Sequence, residues 1–247
     1  MKVAAYQAPL LPSGSMAAIE LIREQVRRCE SEGVAVLCCP ETILGGLADH
    51  SSQPFDCAID VEKGQLAIVL APFASKTVTS IVGFTEVAGS KLYKAAAVYR
   101  YGEVVGLYRK AHPAINKSVY ERGDQTPVFA VDGLKFGIIV CNDSNFVYPA
   151  RTMVANGAAA LFVPTNNGMP ENRGGADLVL RTRDRDVARA TEQRVSIVRA
   201  DVSGRCGNLV SYGCSTIVDA NGVVLQSAPI LSETLLIAEI EEVPLAR

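Results

Sequence analysis

Short apolar runs of strand length recur along the chain and alternate with segments whose apolar residues recur at helical spacing. Residues 1–9 follow an alternating strand pattern, and a helix capped by Ser15 is predicted to run to about residue 32, where Gly33 ends it. Further strands are predicted for the segments VAVLCCPETIL, SIVGFTEVA, ALFVP, VSIVRADV and TLLIAEIE. Strands that alternate with helices in this way indicate an α/β fold.

Turn residues inside apolar segments predict three hairpins. The turns are Tyr101-Gly102, Asp132-Gly133 and Asn221-Gly222. Further helices are predicted over residues 61–76, 147–156 and 177–193. Because no linker, internal repeat or low-complexity tract divides the sequence, residues 1–247 are predicted to form one domain in which helices cover mixed sheets.

Composition and charge exclude several classes of partner. The chain has 247 residues and a formal net charge of −2, without the clustered Lys and Arg that nucleic acid or an anionic membrane surface requires. Its longest apolar stretch, near residues 66–74, is far shorter than the roughly 20 residues that span a bilayer. Seven scattered cysteines without a CxxC pair are typical of free thiols in a reducing cytoplasm. We therefore expect a cytoplasmic protein that acts on small molecules.

Three apolar runs end in a chemically active side chain. VAVLCCPE ends at Glu41, VVGLYRK ends at Lys110, and FGIIVC ends at Cys141, after which the chain turns polar at once. In α/β sheets the carboxyl ends of strands line the ligand crevice, since the following residues must leave the sheet. If these strands are neighbours, one rim carries an acid, an ammonium and a thiol.

Each of these three groups suits one task in covalent catalysis. A free thiol has a pKa of about 8.5 and needs a base or a nearby cation to become a nucleophile. Lys110 can supply the cation, and Glu41 can accept and return a proton because burial and the ammonium act on its pKa in opposite directions. Lys110 and the backbone N–H of Asn142 can then stabilise an oxyanion, for which one donor contributes about 3 kcal/mol.

The same residues also have purely structural interpretations. Most buried thiols are inert, Glu41 can be a loop carboxylate, and Lys110 can be a strand-end lysine whose stem covers apolar surface. Their joint occurrence at strand ends favours the catalytic interpretation, because buried charge is rare without a partner. His112, two residues past Lys110, is the alternative base, and His50 is the other histidine of the chain.

Neither a metal site nor a redox pair is indicated. Two histidines and scattered thiols lack the spacing of metal ligands. Cys38 and Cys39 are adjacent in a predicted strand, so their side chains should point to opposite faces, and a disulfide between neighbours would be strained.

Motifs around the three strand ends resemble those of the nitrilase superfamily of carbon-nitrogen hydrolases. The matching segments are CPETILGG, YRKAHP and GIIVCND, with more distant agreement in ANGAAALFVPT, ARATEQRVSIVRADVSG and GCSTIVDANGVVL. The agreement extends from residue 1 to about residue 241. The resemblance implies a four-layer α-β-β-α sandwich and a Glu41, Lys110 and Cys141 triad that acts through a thioester. It also implies no metal, no cofactor, and pairing into a homodimer through the helices beside the nucleophile.

The sequence departs from the pattern of these relatives at several points. Many of them carry a second glutamate that helps to position the substrate, and Glu121 is the candidate, although it lies a few residues closer to Gly123 than the pattern requires. Asp201 stands where relatives often have asparagine. Relatives that build filaments often have longer tails after the last strand, so we expect a dimer.

The residues after Cys141 favour a neutral amide as substrate. Asn142-Asp143 replaces the Trp-Glu of nitrilases proper and resembles amidases and N-carbamoyl amino acid hydrolases. The carbamoyl enzymes often have arginines next, whereas Ser144 and Asn145 are neutral donors that cannot bind a carboxylate as a bidentate pair. The predicted substrate contacts are Glu121, Asn142, Asn166 and Asn167.

We therefore predict hydrolysis of a small carboxamide to ammonia and a carboxylic acid. The alternatives are an N-carbamoyl amino acid hydrolase, a nitrilase, an enzyme that transfers the acyl group from the same thioester, and a scaffold subunit without activity.

Overall fold

The computed structural model describes residues 1–114, 118–173 and 175–241, apart from the side chain of His50. The strands are β1 (Lys2–Pro9), β2 (Val36–Cys38), β3 (Ile59–Asp60), β4 (Thr79–Ala88), β5 (Lys91–Arg100), β6 (Glu103–Arg109), β7 (Val128–Val131), β8 (Leu134–Ile138), β9 (Ala160–Pro164), β10 (Met169–Pro170), β11 (Ser196–Ala200), β12 (Val202–Cys206), β13 (Leu209–Ser211), β14 (Thr216–Val218), β15 (Val224–Ser227) and β16 (Thr234–Glu239). The α-helices are α1 (Ala17–Glu32), α2 (Gln65–Leu70), α3 (Ala150–Ala155) and α4 (Ala176–Gln193).

The strands form two mixed sheets. The larger sheet has the order β10-β13-β12-β1-β2-β4-β5-β6, with β16 also paired to β1 and β3 paired to β4. The smaller sheet has the order β15-β14-β11-β9-β8-β7. The three predicted hairpins are confirmed as β5-β6, β7-β8 and β14-β15.

The two sheets pack face to face between two layers of helices. Apolar side chains of the inner faces, such as Tyr108 and Phe162, share one core with residues of α3 and α4. The outer face of the larger sheet packs on α1 and α2 in a second core, to which Ile22 and Leu66 contribute. Each fully buried side chain of this size stabilises the fold by about 1.5–3 kcal/mol. The predicted four-layer α-β-β-α sandwich is confirmed.

Two predicted elements are shorter in the structure because glycine and proline limit them. The strand predicted over residues 34–44 is reduced to β2, since the chain leaves the sheet at Pro40, which has no N–H to donate. The helix predicted over residues 61–76 is reduced to α2 and a 3₁₀ turn, because Gly64 adopts a left-handed conformation before it and Pro72 follows it.

The prediction of one continuous strand before and after Asp201 was wrong. The single strand predicted over residues 195–202 is two strands, β11 in the smaller sheet and β12 in the larger one. The chain crosses between the sheets at the buried Asp201. This crossing places a carboxylate between the sheets, where the candidate site lies. None of the described helices combines the length and apolar character needed to span a membrane.

Candidate active site

Glu41 and Lys110 form a buried ion pair between the sheets. The Lys110 Nζ donates to Glu41 Oε1 at 2.7 Å, and both side chains are almost fully buried, at 1% and 2% exposure. Burial alone would raise the pKa of the Glu41 carboxyl, but the ammonium groups of Lys110 and Lys94 outweigh it and lower this pKa below its ordinary value. Burial opposes the charge of Lys110, and Glu41 outweighs it, so the pKa of Lys110 is raised. Both groups are therefore charged at neutral pH.

Gly83 explains how Glu41 reaches Lys110 across β4. The Cys39 N–H bonds Ile81 O and the Leu44 N–H bonds Gly83 O, so residues 40–43 form a bulge beside β4. A Cβ atom at Gly83 would lie 2.2 Å from Pro40 O and 2.7 Å from the Glu41 Cα. Gly83 shares the inner face with Ile81, so the missing side chain lets the bulge fold inward over β4.

Cys141 lies on a turn that follows β8 in the opposite sheet. Its φ of 46° is left-handed, a conformation that costs a residue with a side chain about 1–2 kcal/mol and often occurs at functional sites. Burial and then the Glu41 carboxylate raise the pKa of the Cys141 thiol to about 11, while Lys110 acts in the opposite direction. The three sequence-predicted groups are thus close enough to alter one another's protonation.

A network of hydrogen bonds holds this turn. The buried Asp143 accepts bonds from Tyr108 Oη at 2.7 Å, from the Val140 N–H at 2.9 Å and from the His112 N–H at 2.8 Å. The His112 Nδ1 also lies 3.1 Å from Asp143 Oδ1, and no hydrogen bond joins His112 to Cys141 among the described residues. The Asn142 Nδ2 donates to His112 O at 3.1 Å. His112 therefore supports the turn. Glu41 is the base candidate whose charge acts on the pKa of the Cys141 thiol.

Asn166 and Asn167 follow β9 and contact two members of the cluster. The Asn166 N–H donates to Glu41 Oε2 at 3.1 Å. The Asn167 Oδ1 lies 3.9 Å from Cys141 Sγ, a distance at which the thiol can donate to it. The structure therefore brings both residues to the site, where they contact Glu41 and Cys141.

Asp201 fixes the orientation of Asn167. Its Oδ1 accepts the Asn167 N–H at 3.0 Å and its Oδ2 accepts the Asn167 Nδ2 at 3.0 Å, which leaves the Asn167 Oδ1 facing Cys141. The backbone N–H groups of Val202 and Cys214 also donate to Asp201, one to each oxygen. Burial raises the pKa of the Asp201 carboxyl.

Replacing Asp201 with asparagine is expected to destabilise the protein by about 1–3 kcal/mol, because either placement of the new NH₂ group faces a backbone N–H donor. Urea unfolding measures the loss. Asp219→Asn is the matched control, since both backbone donors there bond the same oxygen, Oδ1, and an amide oxygen can replace it. Equal stability of Asp201→Asn and wild type would contradict the role given to both carboxylate oxygens.

A second buried ion pair supports the site from the side of the smaller sheet. The Arg199 guanidinium on β11 donates to both carboxylate oxygens of Asp186 on α4, each at 2.6 Å. Arg199 also donates to Thr165 Oγ1 at 2.7 Å and to Ser144 Oγ at 3.1 Å. One fully buried side chain thus connects the turn that carries Cys141 to the segment that carries Asn166 and Asn167.

Sequence reasoning missed the buried Lys94 and Asp49. The Lys94 Nζ on β5 lies 3.5 Å from Glu41 Oε1 and 3.4 Å from Asp49 Oδ2. The signal was present in the sequence, because Lys94 shares the inward-facing positions of its strand with Ala96 and Val98.

Glu121, predicted to contact the substrate, is not brought to the cluster. Its side chain is exposed and makes no hydrogen bond to a described residue, and its backbone N–H donates to Leu92 O at 2.8 Å. The neighbouring Tyr120 is buried, and its ring lies 4.8 Å from the Lys94 Nζ. The polypeptide of this segment thus passes the site, but its carboxylate points to solvent.

A cavity of about 170 Å³ opens beside the cluster. Thr42, next to Glu41, and Asn166 line it, and its other walls are mostly apolar, with Leu10, Leu47 and Leu209 among them. The Thr42 hydroxyl is buried and has no hydrogen-bond partner among the described residues. The cavity can therefore take a small, mostly apolar group, and Asn166 links its wall to Glu41.

Other candidate chemistry lies apart from this cluster or is not defined. Cys38 and Cys39 are free thiols that pack into different cores, as their alternation predicts. In the part of the chain that the structure describes, no group of three or more His, Cys, Asp and Glu side chains converges as a metal site. The side chain of His50 lies outside the described residues.

Comparison with known proteins places the chain among enzymes that act on carbon-nitrogen bonds. A family model described as carbon-nitrogen hydrolase matches residues 2–244. The chain is 30% identical over 227 residues to a glutamine-dependent NAD(+) synthetase from Xylella fastidiosa, covering 87% of this chain and 39% of the relative. It is 29% identical over 220 residues to a nitrilase from Pyrococcus abyssi, covering 87% of this chain and 80% of the relative.

A solved structure shares the fold. It is a mutant amidase from Nesterenkonia sp. AN1 with the acetamide moiety of fluoroacetamide covalently added at its active-site cysteine. The two chains match with a TM-score of 0.77 at 22% identity, covering 96% of this chain and 89% of the amidase. The chain spans only 39% of the length of the Xylella synthetase.

Proposed function

Because the chain belongs to the carbon-nitrogen hydrolase family, within the nitrilase superfamily, we propose that it hydrolyses a small carboxamide through a thioester on Cys141. The products are ammonia and a carboxylic acid. The observation that carries this proposal is the buried pair of Glu41 and Lys110, joined at 2.7 Å and within electrostatic reach of the thiol.

The resting protonation state suits a base and a latent nucleophile. The lowered pKa of Glu41 keeps it a carboxylate, and the pKa of about 11 keeps Cys141 a thiol. Transfer of the thiol proton to Glu41 moves one negative charge from oxygen to sulfur and creates no new charge. Since Lys110 stabilises both the carboxylate and the thiolate, the cost of this transfer is reduced.

Attack forms a carbon-sulfur bond and places negative charge on the amide oxygen. The Lys110 Nζ and the Asn142 backbone N–H are the donors for this oxyanion. No described residue accepts a hydrogen bond from the Asn142 N–H, so it is available to a ligand. One such donor is worth about 3 kcal/mol of the barrier.

Glu41 then acts as an acid and again as a base. It gives its proton to the departing nitrogen as the carbon-nitrogen bond breaks, which leaves the thioester and ammonia. A water molecule attacks the thioester carbon while Glu41 takes its proton, and the proton returns to sulfur as the carbon-sulfur bond breaks. The Asn166 N–H, bonded to Glu41 Oε2, keeps the carboxylate in place through both steps.

The proposed substrate is small and neutral. The cavity of about 170 Å³ has room for a short acyl chain, and no arginine lines it among the described residues. A substrate carboxylate would lack the bidentate partner that arginine provides. Asn166 lines the cavity and donates its backbone N–H to Glu41, so it can orient the acyl group.

The side-chain amide of glutamine is a second candidate substrate. The 30% identity to a glutamine-dependent NAD(+) synthetase favours it, because the match covers 87% of this chain. The α-ammonium and α-carboxylate of glutamine would find no oppositely charged side chain among the residues that line the cavity. A neutral short amide is therefore the first choice.

The test is a panel of short aliphatic amides, glutamine, N-carbamoyl amino acids and nitriles, with ammonia release and intact mass followed together. We expect ammonia from a short amide and an acyl adduct that maps to Cys141. Addition of hydroxylamine separates transfer from hydrolysis, because transfer gives a hydroxamic acid. No ammonia and no adduct with any compound would leave a scaffold role as the better explanation.

A further inference from the structure

Lys94 is a buried charge that the mechanism above does not use. It lies on β5 with 5% of its side chain exposed, on the same face as the apolar Ala96 and Val98. Directly across the strand pair stands Lys110, whose backbone N–H donates to Lys94 O at 2.8 Å. Two ammonium groups therefore share one face of neighbouring strands, an arrangement that is destabilising without counter-charges.

Two carboxylates and one aromatic ring compensate this charge. The Lys94 Nζ lies 3.5 Å from Glu41 Oε1 and 3.4 Å from Asp49 Oδ2. The Tyr120 ring covers it at 4.8 Å, a favourable cation–π distance. Asp49 is held in turn by the Ser118 hydroxyl at 2.8 Å and the Val119 N–H at 3.1 Å, both on Oδ1.

Resting on the proposed function, we propose that Lys94 is a positioning residue that holds Glu41 as an oriented carboxylate, with Asp49 as its counter-charge. Both ammonium groups approach Glu41 Oε1, at 2.7 Å from Lys110 and 3.5 Å from Lys94. The other oxygen, Oε2, accepts one backbone N–H, from Asn166, and keeps lone pairs for a proton from sulfur. Lys94 thus leaves Oε2 as the oxygen of Glu41 that accepts the proton.

The titratable groups that face Glu41 and Lys94 come from five segments. Glu41 faces Lys110 after β6, Lys94 on β5 and the Cys141 thiol after β8. Lys94 also faces Asp49 and Tyr120. Of these groups, Lys110, Lys94 and the hydrogen bond with Cys141 lower the pKa of Glu41, so removal of Lys94 should raise it. Asp49 is a counter-charge that partly neutralises Lys94. Removal of Asp49 should therefore not raise the pKa of Glu41.

Stability alone gives no reason for a lysine here. Replacing buried charges with apolar residues of similar volume is often neutral or stabilising, and the neighbours of Lys94 on the same face of β5, Ala96 and Val98, are apolar. A charged side chain at this position therefore indicates a role in the chemistry of Glu41.

The test is the pH dependence of two rates, kcat/KM for the best amide and alkylation of Cys141 by iodoacetamide. In Lys94→Gln we expect the acidic limb of both profiles to move up by about 1–3 pH units, the usual effect of an opposite charge at this distance. Lys94→Arg, which keeps the charge, should leave the limb near its wild-type position. Lys91→Gln, on the same strand but exposed, is the matched control and should superimpose on wild type.

Two further variants keep the outcome clear. Asp49→Asn should leave the acidic limb no higher than in wild type, and Asp49→Asn/Lys94→Gln should raise it while avoiding an unpaired buried carboxylate. The alkylation profile needs no substrate, so the proposed function can fail while the Lys94 inference stands. If Lys94→Gln and the double variant both keep the wild-type limb, whatever their rates, the positioning role is overturned.

Discussion

Replacing Cys141 with alanine is expected to lower kcat for amide hydrolysis by at least about 10⁴-fold, because no other group can form the thioester. The fold should tolerate the change, since the residue Cys141 is partly exposed and its thiol makes a long contact to Asn167 and a contact to the Glu41 carboxylate rather than a dense set of hydrogen bonds. Ammonia release measures the loss, and intact mass should show no acyl adduct.

In the same experiment, Glu41→Gln tests the role of Glu41 as general base while the Cys141 thiol remains in place. Loss of a general base lowers the rate by about 10²–10⁴-fold, yet the Cys141 thiol remains for alkylation at high pH. Glu121→Gln is the matched control, because its side chain is exposed, and it should keep wild-type kcat/KM. Full activity in Cys141→Ala would refute the thioester, and a large loss in Glu121→Gln would show that this exposed carboxylate moves to the substrate.

Replacing Asp186 with alanine should lower the free energy of unfolding by about 3–5 kcal/mol, because it leaves the buried Arg199 guanidinium without its carboxylate. Urea unfolding measures the change. The exposed pair of Arg181 and Asp177, joined at 3.0 Å on the same helix, is the matched control, and Asp177→Ala should cost less than about 1 kcal/mol.

An apolar replacement of the whole Arg199 and Asp186 pair distinguishes stability from function. Arg199→Met/Asp186→Leu should be more stable than Asp186→Ala, since neither charge is left unpaired. It should still lose activity, because the guanidinium no longer donates to Ser144 in the turn that carries Cys141 and to Thr165 beside Asn166. A fully active double variant would mean that the turn holds its position without the guanidinium.

Local sequence patterns predicted most strands and singled out the three groups that the structure brings together. Alternation and turn residues predict β4, β5 and β6 nearly to the residue, because side-chain period and turn preference are properties of short segments. Glu41, Lys110 and Cys141 stood out because each ends an apolar run. The single domain, the homodimer and the cytoplasmic location stay predictions.

Long-range packing decided what these patterns left open. Glu41 and Lys110 are 69 residues apart, and their contact depends on a bulge that Gly83 admits on a third segment. Whether Glu121 faces the site depends on how the segment around Tyr120 lies against β5, which no local period encodes, whereas the alternation of β5 already placed Lys94 on the inner face. The division of residues 195–202 at Asp201 likewise follows from the pairing of two sheets.

The sequence by itself thus determined most of the elements and singled out the candidate groups at their ends, since side-chain period and turn preference are properties of short segments. Tertiary structure alone decided which buried charges meet, because the free energy of a buried charge depends on partners that distant segments bring to it.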